Sequence, residues 1–145
     1  MRNRWKDDDG STLPLMIFYG FLSLVLILLV VAATSLYLER KRLFTVADGA
    51  ALAGAESFAL DRVDVTATGP KPRLESPEVR KAVDDYLAVA PIARFDQLHV
   101  DRAVSVDGSS ATVELSAYWR PPVVAAFVPR GIRLEVTALA RSVLH

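Results

Sequence analysis

The sequence predicts an α+β protein: a long N-terminal helix that crosses a membrane and runs on into a small domain with a second helix and a three-stranded antiparallel sheet. Three observations point there. Residues 10–38 carry no charge, and an Ala- and Gly-rich stretch follows directly beyond Glu39-Arg40-Lys41-Arg42. Further on, one segment repeats its apolar residues at helical spacing, and three later runs repeat theirs at every second position.

Residues 1–12 form a short tail and 13–38 the span. At about 1.5 Å per residue the span covers roughly 39 Å, more than the roughly 30 Å hydrocarbon core, so it tilts or projects past one face. A buried soluble helix rarely stays uncharged for so long. A cleaved signal peptide needs an apolar region of only about 7–15 residues, although Ala33-Thr34-Ser35 has the small residues of a cleavage site. Pro14 falls in the first turn, with Ser11 or Thr12 as caps, and Tyr19 and Tyr37 sit near the two ends as interfacial aromatics do. Arg2, Arg4 and Lys6 at one end balance Arg40, Lys41 and Arg42 at the other, so the positive-inside count is a tie. The short tail before a large domain favours a cytoplasmic N-terminus and a domain outside.

No proline interrupts residues 39–60, so the helix is expected to continue through them. Ala47, Ala51, Ala55 and Ala59 recur every fourth residue, with Ala50 and Gly54 alongside. Positions four apart share a helix face, and side chains this small let another backbone come close. The seam packs on the chain's own sheet, on another subunit, or on each at different heights.

Residues 61–145 make the globular domain. Gly69-Pro70-Lys71-Pro72 marks 61–75 as a loop without regular structure. A helix then starts with Ser76 as N-cap and Pro77 at its first position, and carries Val79, Val83, Tyr86, Leu87 and Ala90 on one face. Leu98, Val100, Val104 and Val106 alternate with His99, Asp101, Ala103 and Ser105. After the turn Asp107-Gly108-Ser109-Ser110, residues 111, 113, 115, 117 and 119 form the apolar face of a second strand. A third strand buries 132, 134, 136, 138 and 140. Three strands alone leave one apolar face open, and the 43–60 helix is the natural lid.

Charge balances in both parts, six basic and six acidic residues up to position 60 and eleven of each beyond. No basic patch results, which speaks against nucleic acid. The chain has no cysteine, hence no disulfide, thiolate metal site or cysteine nucleophile. His99 lies on a polar strand face and His145 is terminal; Asp84 and Asp85 are adjacent on a helix and diverge. Asp7-Asp8-Asp9 reads as a solvated run, Gly49 and Gly54 lack a phosphate-loop context, and Ser109-Ser110 lack a nucleophile elbow. The expectation is a non-catalytic protein without metal or cofactor.

The acidic-Gly junction before the span, the Glu-Arg-Lys-Arg exit and the run Val46-Ala47-Asp48-Gly49-Ala50-Ala51-Leu52-Ala53-Gly54-Ala55 together resemble the N-terminal region of TadE/TadG-like proteins of Flp (Tad) pilus assembly. The resemblance covers about residues 7–58. It implies a pseudopilin-like envelope protein of a type IV-like pilus machine, with a pilin-like domain outside the cytoplasm. Its implied partners are the bilayer, other pilins or pseudopilins, and Tad membrane platform proteins; whether it joins the pilus, and whether its role is TadE-, TadF- or TadG-like, stay open. The alternative is an anchored extracytoplasmic binding module unrelated to pili. Neighbouring genes for a pilus ATPase and a prepilin peptidase would distinguish the two.

Prepilins of this type are cut after a Gly that precedes the apolar helix, which here is Gly10, leaving Ser11 first. Many carry Glu five residues beyond the cut, where this chain has Leu15, and Pro14 precedes it. Intact mass in cells that make the peptidase separates the outcomes: cleavage gives a chain starting at Ser11 and is blocked by Gly10→Ala, whereas an uncut anchor starts at Met1.

Overall fold

The computed structural model describes residues 12–57, 63–66, 69–121 and 129–142. Helix α1 runs unbroken over Thr12–Ala55. A small antiparallel ladder comes after it, β1 (Val63–Thr66) with β2 (Gly69–Pro72). Next come helix α2 (Ser76–Val89), a 3-10 turn at Ile92–Arg94, and strands β3 (Asp96–Val104), β4 (Ser110–Trp119) and β5 (Ile132–Arg141). The last three pair antiparallel in the order β3-β4-β5. A long apolar helix, a second helix and a three-stranded antiparallel sheet are the α+β arrangement that the sequence predicts.

Helix α1 divides by environment. Every residue over 12–31 is exposed. The hydroxyl of Thr34 donates to the Val30 carbonyl at 2.9 Å, so this polar group within the apolar run is satisfied along the helix. From Ala32 onward one face turns inward. Ala32, Ser35, Leu36 and Glu39 are half-buried, and Leu43, Val46, Ala47, Ala50, Ala51, Gly54 and Ala55 are buried. Steps of mostly three and four residues keep these positions on a single stripe.

The stripe lies along β4 and β5, and α2 covers β3 from the same side of the sheet. Two contacts fix its alignment with the central strand. The indole N–H of Trp119 donates to the Ser35 hydroxyl at 3.3 Å, and Gly54 faces Ala111. Nineteen helical steps give about 28 Å and eight strand steps about 27 Å, so helix and strand run side by side without a length mismatch. Helix α2 runs back along α1, with Val79 opposite Gly54 and Tyr86 opposite Gly49.

The sheet closes with specific turns. The Asp107 carboxylate accepts from the Ser109 and Ser110 amides at 2.9 and 2.7 Å and from the Ser110 hydroxyl at 2.7 Å. These donors hold the Asp107 carboxyl well below the usual carboxylate range. Gly131 has φ +71°, and a Cβ there would come within 2.8 Å of the Trp119 carbonyl oxygen, so glycine is required at the entry to β5.

Four expectations need correction. The helix ends at Ala55 rather than reaching residue 60, while Ala59 and Leu60 lie outside the described residues. The 61–75 segment contains the β1–β2 ladder. Proline is tolerated where its missing N–H points away from the partner strand, and Pro70 and Pro72, two residues apart, share one side. Ser76 does not cap α2: Glu75 holds the N-cap position, and the Ser76 hydroxyl instead brackets Ser105, donating to its carbonyl and accepting from its amide, each at 3.2 Å. Finally, β3 does not alternate cleanly. Its register slips between Asp96 and His99 and again between Val100 and Arg102, and Gln97 takes a left-handed φ of +52°. A bulge inserts one residue and reverses the facing of the residues beyond it. Ala103 is therefore buried, at 5% exposure, whereas Val106 stands 75% exposed beyond the strand.

The bulge makes a prediction that unbroken alternation reverses. In the full chain in detergent, Ala103→Leu should lower unfolding stability by about 1–3 kcal/mol through overpacking. Val106→Ser should stay within about 0.5 kcal/mol, as for other exposed sites. Denaturant midpoints measure both.

Candidate helix-packing interface

The small-residue seam is where sequence and structure meet most closely. Ala47, Ala50 and Ala51 have no exposed surface and Ala55 has 1%, while Gly54 is buried beside them. They face the chain's own sheet and α2. A Cβ at Gly54 would lie 3.0 Å from Val79 Cγ1 and 3.2 Å from Ala111 Cβ, so both neighbours rest almost on the helix backbone. At Gly49 a Cβ would overlap the Tyr86 hydroxyl. Larger side chains fill the space around the seam: among the described residues, Leu43, Leu115, Val79, Val83 and Val113 are the largest that are fully buried. Of the two packings open at the sequence level, the structure displays the internal one over Ala47–Ala55. Ala59, Gly10 and Ser11 lie outside the described residues.

Sequence reasoning did not single out the Tyr86–Gly49 contact or the Ser35–Trp119 hydrogen bond. The sequence mark of the first is only that position 49 carries no side chain, which leaves room for a ring. Nothing local pairs Ser35 with Trp119, which are 84 positions apart.

One flank of α1, which borders β5 through Tyr37, Lys41 and Phe44, is open. Tyr37, Phe44 and Leu52 are 64%, 48% and 53% exposed, and the exposed Lys41 and Asp48 fall between them on the same stripe. The sheet's outer face is polar. Arg133 reaches Asp101 at 3.0 Å, Glu135 at 3.1 Å and the Ser116 hydroxyl at 3.3 Å. The Ser116 hydroxyl, and then Arg133, hold the Asp101 carboxyl below its usual range. His99, Gln97 and Tyr118 complete the rim of this open cleft, whose charges are already matched internally. Asp84 and Asp85 point apart, each toward its own partner one turn back, Arg80 at 3.2 Å and Lys81 at 3.5 Å. Among the described residues no three His, Cys, Asp or Glu side chains are grouped to hold a metal.

The close approach sets the expected mutational order. Gly54→Leu and Ala51→Leu should each destabilise the full chain by at least about 1–3 kcal/mol, since the neighbours are a packed helix and a central strand. Leu52→Ala, next to Ala51 yet on the exposed stripe, should change it by about 0.5 kcal/mol or less. Chemical unfolding in detergent, followed by circular dichroism, reads all three.

Residues 10–57 match the family model of Flp pilus-assembly TadE/G-like (Tad) proteins. Neither a curated protein nor a solved structure matches the chain. The matched residues are the exposed apolar segment of α1 and its buried continuation, and the match stops before the sheet begins. Over residues 10–57, then, this chain is similar to the TadE/TadG-like family of Flp pilus assembly.

Proposed function

We propose that the protein is a non-catalytic, single-pass minor pseudopilin or scaffold of a Flp/Tad pilus machine, with its N-terminus in the cytoplasm and its α+β domain outside. The family match over residues 10–57 points to involvement in Flp/Tad pilus assembly, and the long apolar helix to membrane anchoring. The observation that carries the finer reading is the unbroken α1. One rigid element is bare and apolar over 12–31 and serves as domain core over 43–55. A helix of this kind can join a bundle of similar helices while it holds its domain in a fixed attitude to that bundle. Since Ala47, Ala50, Ala51, Gly54 and Ala55 are used internally, neighbouring subunits would meet the bare segment and the outward stripe Tyr37, Lys41, Phe44, Asp48 and Leu52. Other pilins, pseudopilins and Tad platform proteins are the partners this role requires.

Two measurements test the reading. A reporter active only in the cytoplasm, fused after His145, should be silent; strong activity reverses the orientation. The chain has no native cysteine, so single cysteines at Phe44 or Leu52 should crosslink in cells to another component of the pilus system, while cysteines at Ala47 or Ala51 should not. Crosslinks from the buried positions alone, or none from the outward stripe in piliated cells, would contradict the proposed docking face.

A further inference from the structure

We propose that the lower rim of the domain, formed by Arg120, Arg130 and Ile132 with Tyr37 of α1, rests in the phospholipid headgroup layer of the bilayer that α1 spans. The inference rests on the membrane-anchored reading and goes beyond it, because an anchor could equally carry its domain on a stalk.

Lengths along α1 set the height of the domain. The fully exposed apolar segment, 12–31, holds twenty residues and is about 30 Å long, the thickness of a hydrocarbon core. Domain contacts start at the next residue, Ala32. Ser35 stands only about 4.5 Å further along the axis, within the roughly 5–7 Å of one headgroup layer. Trp119 is tied to that hydroxyl at 3.3 Å, which brings the end of β4 to the same level. No spacer separates span from domain.

The residues at that level suit a lipid surface. Trp119 itself is buried and only marks the level, whereas Tyr37, 64% exposed on α1, offers a polar hydroxyl on an apolar ring, the character that concentrates at membrane interfaces. Ile132 pairs with Trp119 across β4 and β5 and is 44% exposed, an apolar surface with no water-side explanation. It borders a cleft with Ala33, Leu36, Tyr37 and Arg40. Arg120, 2.9 Å from Asp96, and the exposed Arg130 place guanidinium groups where phosphates lie. The opposite end of the domain, with Val106 and the Asp107 turn, faces away, because β3 and β5 run upward along α1 and β4 runs down.

Single-cysteine spin labels decide the matter, in the full chain reconstituted into phosphatidylcholine–phosphatidylglycerol vesicles. Labels at Leu26, Ile132, Tyr37 and Val106 report collision with oxygen, which partitions into lipid, and with a water-soluble nickel chelate. Leu26 should read as deep, and the oxygen-to-nickel ratio at Ile132 and Tyr37 should exceed that at Val106 several-fold. If Leu26 is deep but Ile132 and Tyr37 match Val106, the domain stands clear of the bilayer and the proposal fails while the anchor stands. A water-accessible Leu26 overturns both.

Discussion

Everything in this structure depends on how closely α1 can approach the sheet. A three-stranded sheet turns Val113, Leu115, Ala117, Trp119, Leu134, Val136 and Ala138 to one side, and with nothing above them they would stay in water. Alanine and glycine at 47, 50, 51, 54 and 55 bring the α1 backbone down onto that surface and leave room for Val79 and Val83 to enter from α2. Small residues on the helix thus complement large ones on the sheet and on α2, the condition for native packing density. The helix is consequently not an appendage of the domain. Its second half is part of the domain's core, and its first half is the same rigid rod continued.

That continuity has a mechanical consequence. A span joined to its domain through a flexible linker transmits little orientation. Here a helix shared by both leaves no hinge over Thr12–Ala55, and the Ser35–Trp119 bond adds a lateral tie just above the bare segment. The attitude of the domain is thereby set by the direction of the helix. The outer face of the sheet is polar, with Arg133 held among Asp101, Ser116 and Glu135, while Tyr37, Phe44 and Leu52 leave an exposed apolar stripe on α1.

The sequence was most readable where one periodicity governs. Along β4 and β5 the alternation of apolar and polar residues matches burial nearly position for position, because both strands pair in unbroken register over ten residues. The seam was readable as a place of close approach, since Ala and Gly at spacing four have few other uses, yet spacing alone could not say which backbone approaches. The features that escaped are decided by non-local geometry. The β3 bulges reverse the facing of Ala103 without any glycine to announce them, the left-handed residue being Gln97. Ser76 had every local mark of an N-cap, and the Ser105 backbone claimed its hydroxyl instead. The prolines at 70 and 72 read as breakers because a one-sided ladder cannot be inferred from composition.

The central claim, that residues 43–55 belong to the same structural unit as the sheet, is tested most directly by amide hydrogen exchange on the intact protein in a bilayer or mild detergent. Protection at 43–55 should equal that of the central strand, 110–119, and both should vanish together on addition of denaturant, as members of one cooperative unit do. Exchange at 43–55 at the rate of a fraying helix, while the central strand remains protected, would contradict the account and return the helix to the role of a tether.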